Sequence, residues 1–471
     1  MLLTVSCTIY CYNEITFVSA ILINCIIFAK IVKKDDMQWS KSQKTAVLLL
    51  IITFSIPSYA QHRYKFTSKG VLSAGMIVPH SKNLDSIAKG MVLGGEVAFE
   101  WAAQSKNRWQ QFWHFPNVGI GVGFVNLGNN RLLGNAIYAY PYISIPLFTV
   151  KHIDINLKFG AGLSYVTKTW NDADTLSGID ASTANSAFSF PLNCYLTSSV
   201  NFEYLLTDRI AIIGDLGYAH MSNGSFRNPN FGVNMGYVHL GAIYKFRLHN
   251  PNLSYNPAYN LPFDFEGKIV ASGFSREIHY NDHKSFFVGS LHAGLTLPIV
   301  GWYALGGGVD LFYDGAFTKR PSDENPMFKR YKIDEDKFSN KIRFGISVNN
   351  EFIMGRLTGI VDFGIYLYDP IRNAYPQDNL NRGIFYKYNL KKEDGWNYTR
   401  FALRYRVYDN FVVQAGIKTH GYIAEMLEIG VGYLLPFARP KYDSLKKSSK
   451  AYRLFRYDYK EPPAYPTPWV E

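Results

Sequence analysis

The sequence predicts an all-β protein, an antiparallel transmembrane β-barrel of about sixteen strands, and three observations support this fold class. Apolar and polar residues alternate with a period of two in many segments of about ten residues. Aromatic residues make up 16% of the 471 residues and charged residues only 18%, below the ~25% of an ordinary soluble domain. Short turns and long polar loops also alternate along the chain. This composition excludes intrinsic disorder, which requires few aromatics and a high charge.

The alternation is clearest near the C-terminal end of the chain. In the segment 401–407 (FALRYRV), the Phe, Leu, Tyr and Val share one face, and the Ala and both Arg share the other. The segment 342–348 alternates in the same way. An apolar outer face and a polar inner face are typical of transmembrane barrel strands. A soluble sandwich also alternates, but the aromatic content and the export signal favour the barrel.

The first sixty residues predict export. Residues 37–60 have the layout of a secretory signal peptide, with a basic start, the apolar run AVLLLIITFSI and the small-x-small sequence SYA at the cleavage site. We expect the mature chain to begin near Gln61 and to reach the bacterial outer membrane. Residues 1–36 are then interpreted as a mis-annotated leader upstream of the true start. The competing interpretation is a helical anchor over 15–32, whose length is borderline for spanning a bilayer.

Cysteine usage and charge narrow the possible partners. Cys7, Cys11 and Cys25 belong to the leader, so Cys194 is alone in the expected mature chain and has no internal disulfide partner. Residues 1–60 carry five basic and three acidic residues, so the formal net charge of +12 falls to +10 without them. A basic surface suits anionic lipid or lipopolysaccharide, and export argues against nucleic acid. No cofactor or metal is expected, and the oligomeric state is not predicted.

Sixteen strands are expected from the alternation and from the turn residues between segments. Their starts are predicted near Phe66, Met91, Asn117, Ala136, Asp154, Leu192, Ile210, Gly236, Phe265, Phe286, Tyr303, Lys341, Leu357, Tyr398, Phe411 and Ala424. Several even-to-odd connections are short and several odd-to-even loops are long and polar, whereas the connection at 103–116 and the loop at 280–284 depart from this rule. This asymmetry is typical of bacterial barrels, which have short periplasmic turns and long external loops.

The chain divides into two similar halves. Residues 61–249 and 264–437 are the predicted halves, and the Asn- and Pro-rich segment 250–263 reads as a connector between them. One barrel of about sixteen strands is preferred, and two eight-stranded barrels in tandem are the alternative. The basic and Pro-rich segment 438–471 is expected to be a flexible tail outside the barrel.

One group of polar residues suggests a catalytic site. His220 and Ser222 are two residues apart on a predicted strand, so their side chains point to the same face and the imidazole can approach the hydroxyl. Residue parity assigns them, together with Asn234 of the next strand, to the lipid-facing register. A pore-forming barrel has no evident reason to place three polar side chains there.

These residues resemble a known family. The sequence His220-Met-Ser222-Asn223, followed by PNFGVN ending at Asn234, is similar to the motif of the PagL-type lipid A 3-O-deacylases. Upstream, GAGLSY at 160–165 and NSAFSFPLN at 185–193 are similar to the family's preceding strand and loop, so the resemblance covers about 62–247. It implies an outer-membrane barrel whose exposed Ser–His site hydrolyses an ester-linked acyl chain of lipid A.

The resemblance also implies a role for each residue. Ser222 would be the nucleophile, His220 its general base, and Asn223 a donor to the oxyanion. The family places an acid, usually Glu, where this chain has Asn234. An amide can still accept from the imidazole N–H and fix its tautomer, as in Cys-His-Asn enzymes, but it does not stabilise the imidazolium by charge. His420 of the second half is expected to face the lumen and to be structural.

Two functions therefore remain open. The first is an outer-membrane serine esterase that acts on lipid A, with lipopolysaccharide and outer-membrane lipids as its partners. The second is a catalytically weak or inactive barrel homologue with a structural, binding or pore role, which is favoured by Asn234 and by the second half without the motif.

Overall fold

The computed structural model describes residues 65–437 except 104–108, 111–112, 151, 171–183, 247–264, 279–284, 301, 319–332, 334, 373–382, 389–393 and 422. The predicted leader, signal peptide, connector and tail lie outside the described residues. Their interpretation stays a prediction.

The described residues include sixteen β-strands, one short α-helix and a 3₁₀ helix at Phe338–Lys341. The strands are β1 (Phe66–Ile77), β2 (Met91–Ala102), β3 (Asn117–Asn126), β4 (Asn135–Val150), β5 (Ile153–Val166), β6 (Leu192–Leu205), β7 (Ile210–Ser222), β8 (Val233–Lys245), β9 (Glu266–Arg276), β10 (Phe286–Val300), β11 (Tyr303–Asp314), β12 (Ile342–Met354), β13 (Leu357–Tyr368), β14 (Asn397–Tyr408), β15 (Phe411–His420) and β16 (Ile423–Pro436). Helix α1 (Lys82–Ile87) lies between β1 and β2 and begins at a capping serine, Ser81. Fifteen of the sixteen strand starts agree with the predicted residue to within one position, and only β8 begins three residues early.

The strands close into two barrels of eight. Strand β8 pairs with β1, with Leu240 opposite Leu72, and strand β16 pairs with β9 in the same antiparallel manner. The all-β antiparallel barrel is therefore confirmed, but the preferred single barrel of sixteen strands is wrong and the tandem alternative is correct. The physical reason is that the free edge of β8 finds β1 as its partner, and alternation alone does not reveal which edges meet.

The interior of the first barrel explains why it closes at eight strands. Inward glycines of β3 lie directly opposite inward tyrosines of β4: Gly119 pairs with Tyr142, Gly121 with Tyr140 and Gly123 with Tyr138. A Cβ at Gly123 would lie 2.3 Å from the ring of Tyr138, so only glycine leaves room for the ring. An eight-stranded barrel has an interior just wide enough for side chains to fill it.

Buried charges fill much of the remaining interior. In the first barrel, Lys69 bridges Glu100 and Glu203 at 2.9 and 2.8 Å, and Lys158 contacts Asp215 at 3.1 Å. In the second barrel, Arg400 contacts Asp310, Asp362 and Glu428. A buried charge is tolerated when partners of opposite sign are in contact with it. The polar residues of the alternating pattern therefore face inward.

The apolar residues of the pattern face outward. On β7 and β8, Leu216 and Leu240 are each 63% exposed, whereas Asp215, the residue before Leu216, is buried. The strands are 10–16 residues long, enough to cross a bilayer core, which takes about 9–11 tilted residues. Within the described residues, no helix is long and apolar enough to cross a membrane.

Strands β7 and β9 end at the same end of the molecule, where the N–H of Asn228 donates to the side chain of Glu277. There, the loop after β7 contacts β9 and β16 of the second barrel. At the other end, Trp113 of the β2–β3 connection donates to the carbonyl of Ile353 at 3.0 Å and packs edge-on against Trp302. The two barrels therefore run in the same direction side by side.

Candidate active site

His220 and Ser222 lie at the C-terminal end of strand β7. Their side chains lie on the outward face, as the period of two predicts, and His220 Nε2 is 2.8 Å from Ser222 Oγ. Ser222 is only 6% exposed, and Gly232 of the loop that follows it packs against its side chain. A nucleophile and its base within hydrogen-bonding reach are the minimum geometry for covalent ester chemistry.

Asn234 lies on β8 directly opposite His220 in the antiparallel register. Its Oδ1 is 2.6 Å from His220 Nδ1, and since an amide oxygen only accepts, Nδ1 carries the proton in this pair. Nε2 is then unprotonated and accepts the hydrogen of Ser222 Oγ. Asn234, His220 and Ser222 thus form a continuous chain of hydrogen bonds in which the tautomer suited to a general base is selected.

A second histidine, His80, completes this chain and was not predicted from the sequence. Its Nδ1 accepts from Asn234 Nδ2 at 3.0 Å. His80 follows β1, which pairs with β8, and the N–H of Val78 donates to the carbonyl of Asn234 at 2.7 Å. An asparagine can satisfy both histidines at once, because its amide accepts at one atom and donates at the other.

Asn223 begins the loop after Ser222, residues 223–232, which we call the nucleophile loop. Its backbone N–H donates to Asn230 Oδ1 at 3.1 Å, and its side-chain Nδ2 donates to Ser189 Oγ at 3.2 Å. Asn223 is therefore beside Ser222, and its backbone N–H already has an acceptor. Asn230 is a further residue that the sequence reasoning missed, although it lies within the PNFGVN segment.

Gly232 closes the loop against the site. It has a positive φ of 67°, and a Cβ built on it would lie 2.9 Å from Ser222 Cβ and 3.2 Å from His220 Cε1. Its N–H donates to the carbonyl of Ala187 in the preceding long loop at 3.0 Å. Glycine at this position lets the backbone approach the side chains of both Ser222 and His220.

The surface around the site is apolar. Leu196 lies opposite His220 on β6 and is 45% exposed, and Tyr218 on β7 is 44% exposed. Leu163 of β5, on the same outward face, is 54% exposed. The outward surface of β5–β7 beside Ser222 is therefore apolar.

His420 does not contribute to this hydrogen-bond chain and is buried inside the second barrel, as predicted. Its Nε2 is 3.1 Å from the hydroxyl of Tyr366, and its Nδ1 is 3.1 Å from Glu425. With Asp394 and Glu425 it forms a buried group whose atoms are close enough to share a metal. Arg343 bonds both carboxylates, so cationic side chains already balance their charge.

Comparisons with known proteins agree with this architecture. The family model described as "Lipid A 3-O-deacylase (PagL)" matches residues 93–242, and the model described as "Acyloxyacyl hydrolase, C-terminal domain" matches 265–437. No curated protein sequence matches the chain.

Among solved structures, Neisserial surface protein A is 10% identical to this chain, with 38% of this chain and 97% of that chain covered and a TM-score of 0.26. The outer membrane enzyme PagL is 11% identical, with 38% and 99% covered and a TM-score of 0.26. These scores are too low for an argument about function.

The fold and the site together define an outer-membrane type of β-barrel with a serine and a histidine paired on its outer surface. The two family matches together span more than half of the chain and correspond to its two barrels. The first barrel is thus similar to the lipid A 3-O-deacylase (PagL) model, and the second barrel is similar to the C-terminal domain model of the acyloxyacyl hydrolases. The resemblance seen in the sequence is confirmed.

Proposed function

We propose that this chain is an outer-membrane serine esterase that removes an ester-linked acyl chain from lipid A, in the manner of a 3-O-deacylase. The observation that carries the proposal is the chain of hydrogen bonds from Asn234 through His220 to Ser222, at 2.6 and 2.8 Å. Its place on the outward, apolar face supports a lipid as substrate. The expected location is the outer membrane, reached through the predicted signal peptide.

The geometry supports acyl transfer in two steps. Ser222 Oγ attacks the ester carbonyl while its proton moves to His220 Nε2, and the resulting oxyanion collapses as Nε2 returns the proton to the leaving sugar alcohol. Water then attacks the acyl-serine ester with His220 again as base, which releases the fatty acid and restores Ser222. Throughout, Asn234 Oδ1 accepts from Nδ1–H and keeps Nε2 aimed at the reacting oxygen.

Asn223 is the proposed donor to the oxyanion. Its Nδ2 carries two hydrogens, one of which is donated to Ser189 Oγ, so the other can be donated to the substrate. A donor of this kind contributes about 3–4 kcal/mol of transition-state stabilisation.

The test combines lipid analysis with a chemical probe. The protein and its Ser222→Ala variant are expressed in a host with intact lipid A, and lipid A is examined by mass spectrometry. The purified proteins are also treated with a serine-directed fluorophosphonate. We expect the wild type to remove one acyl chain and to be labelled, and the variant to do neither. Ser68→Ala is a matched control, because Ser68 of β1 lies opposite the outward Phe99 of β2 and pairs with Tyr244 at the other end of β8 from Asn234.

An unchanged acylation pattern from an inserted, folded wild type would contradict the esterase proposal, and deacylation that survives Ser222→Ala would contradict the assignment of the nucleophile. The alternative, a homologue with a structural, binding or pore role, rests on the amide at Asn234. Conductance measurements in planar bilayers test whether this homologue forms a pore. The side chains that fill both barrel interiors predict no ion current.

A further inference from the structure

The nucleophile loop of the first barrel is held by the second barrel. Glu277, the residue after β9, contacts this loop through both its side chain and its backbone. Its Oε1 accepts from Arg227 Nη1 and its Oε2 accepts from the N–H of Asn228 at 3.1 Å. Its carbonyl accepts from Asn228 Nδ2 at 2.6 Å, and its N–H donates to the carbonyl of Ser225 at 3.2 Å.

The side chain of Glu277 is only 4% exposed, whereas that of Arg227 is 41% exposed. A buried carboxylate is costly unless charged and polar partners surround it. Here those partners all come from the nucleophile loop of the other barrel. Glu277 is thus a constituent of the site that lies more than fifty residues further along the chain from Ser222.

Apolar and steric contacts extend the same interface. Phe226 packs against Phe274 of β9 with ring centroids 5.3 Å apart, and Ser225 Oγ donates to the carbonyl of Ala424 on β16 at 3.0 Å. Gly224 has a φ of 61°, and a Cβ at this position would lie 2.5 Å from Leu427 of β16. The loop and the second barrel therefore fit closely enough that one added carbon would collide.

These contacts reach the nucleophile through Asn223. The N–H of Arg227 donates to Asn223 Oδ1 at 3.2 Å, and the N–H of Phe226 donates to the carbonyl of Asn223 at 3.2 Å. Asn223 is covalently joined to Ser222. A displacement of the backbone at Arg227 would therefore move the residue next to the nucleophile and the proposed oxyanion donor.

We propose that the second barrel holds the nucleophile loop in its reactive conformation, and that Glu277 is the positioning residue that does so. The inference rests on the proposed esterase function and assigns a role to residues 264–437. Glu277 acts through Arg227 and Asn228 rather than on the substrate. Its removal should lower the turnover rate and leave substrate binding, measured as KM, nearly unchanged.

The test uses the full-length protein in detergent micelles with two readouts. The first is the rate of Ser222 labelling by a fluorophosphonate together with kcat and KM for a chromogenic acyl ester. The second is hydrogen exchange of the peptide spanning 223–232, which does not depend on activity. In Glu277→Ala we expect labelling and kcat to fall by about 10- to 100-fold, the scale of a misplacement near 1 Å, and exchange in the loop to rise by about tenfold. Glu277→Gln keeps an acceptor oxygen and should be intermediate.

Two controls separate positioning from general damage. Glu266→Ala removes another arginine-paired acid of the second barrel, one that bonds Arg406 at 2.9 Å. Trp302→Ala weakens the contact with Trp113 at the opposite end of the barrels. Both should leave labelling and loop exchange at the wild-type level, and an electrophoretic heat-shift assay shows that each barrel is folded.

Each pattern of results has a distinct meaning. Faster loop exchange with unchanged labelling would overturn the positioning role while leaving the esterase intact. Unchanged loop exchange in Glu277→Ala would overturn the positioning role directly. A loss of labelling in Trp302→Ala equal to that in Glu277→Ala would also overturn it. If the wild type itself is not labelled, the proposed function fails, and the exchange data still show whether Glu277 holds the loop.

Discussion

The amide at Asn234 offers the most direct test of the hydrogen-bond chain. Asn234→Asp changes one NH₂ group to oxygen and leaves the acceptor of His220 Nδ1 in place at 2.6 Å. The change adds a negative charge beside the imidazole. Because the imidazole becomes a cation only when it has taken the proton of Ser222, the charge stabilises the transition state more than the resting state.

The expected effect follows from the strength of that one hydrogen bond. A neutral hydrogen bond contributes about 0.5–1.5 kcal/mol and one to a charged group about 1.5–3 kcal/mol. A gain of about 1.4 kcal/mol corresponds to tenfold in rate. We therefore expect Asn234→Asp to raise kcat for a chromogenic acyl ester by about five- to tenfold. Asn234→Leu, which has no acceptor, should lower it by a factor on the order of 10³ to 10⁴, as expected for loss of the correct tautomer.

The assay is ester hydrolysis by purified protein in micelles, with the acylation state of host lipid A as the cellular readout. Asn135→Asp is the matched control: it lies at the same end of the first barrel, and its Oδ1 accepts from Asn126 Nδ2 at 2.8 Å, which an aspartate can also do. The control should leave the rate unchanged. A folded Asn234→Asp protein with the same or a lower rate than the wild type would refute the role assigned to Asn234.

Two further predictions concern the loop and the barrel interior. Gly232→Ala should reduce fluorophosphonate labelling of Ser222 to background with both barrels folded, because a Cβ there would lie 2.9 Å from Ser222 Cβ; labelling at the wild-type rate would contradict the close approach. Arg400→Leu should cost about 3–5 kcal/mol in the free energy of unfolding, measured by urea titration in detergent, because it leaves three buried acids without their cation. The control Arg406→Leu removes an arginine that is 42% exposed in its pair with Glu266 and should cost about 1 kcal/mol or less; equal losses would contradict the role of burial.

The strands could be predicted from the sequence because their signals are local. A period of two and turn residues such as those at 207–209, 300–302, 355–356 and 409–410 indicate where strands end and begin, independently of their partners. Barrel closure could not be predicted in this way, since β8 shows the same alternation whether it pairs with β1 or with β9. The inward Gly–Tyr pairs of β3 and β4 carried that information, because large rings opposite glycines fit a narrow lumen.

In the site, too, the residues on strands could be predicted and those placed by tertiary contacts could not. His220, Ser222 and Asn234 share the parity of the outward residues, so their common face follows from strand geometry. Glu277 and His80 belong to connections without periodicity, and they reach the site only through barrel closure and through the contact between barrels. No local pattern signals either residue.

His80 gives a reason for an amide where the family usually has an acid, and this reason can be tested. Asn234 accepts from His220 and donates to His80, whereas an aspartate would require His80 to be the donor. We therefore expect His80 and Asn234 to be coupled. His80→Ala alone should change kcat by less than about threefold, because Asn234 Oδ1 still accepts from His220. The same substitution in the Asn234→Asp protein should have a different effect on kcat, which corresponds to a coupling free energy of about 0.5–3 kcal/mol in the double-mutant cycle. Additive effects of the two substitutions would show that His80 does not determine which side chain works at position 234.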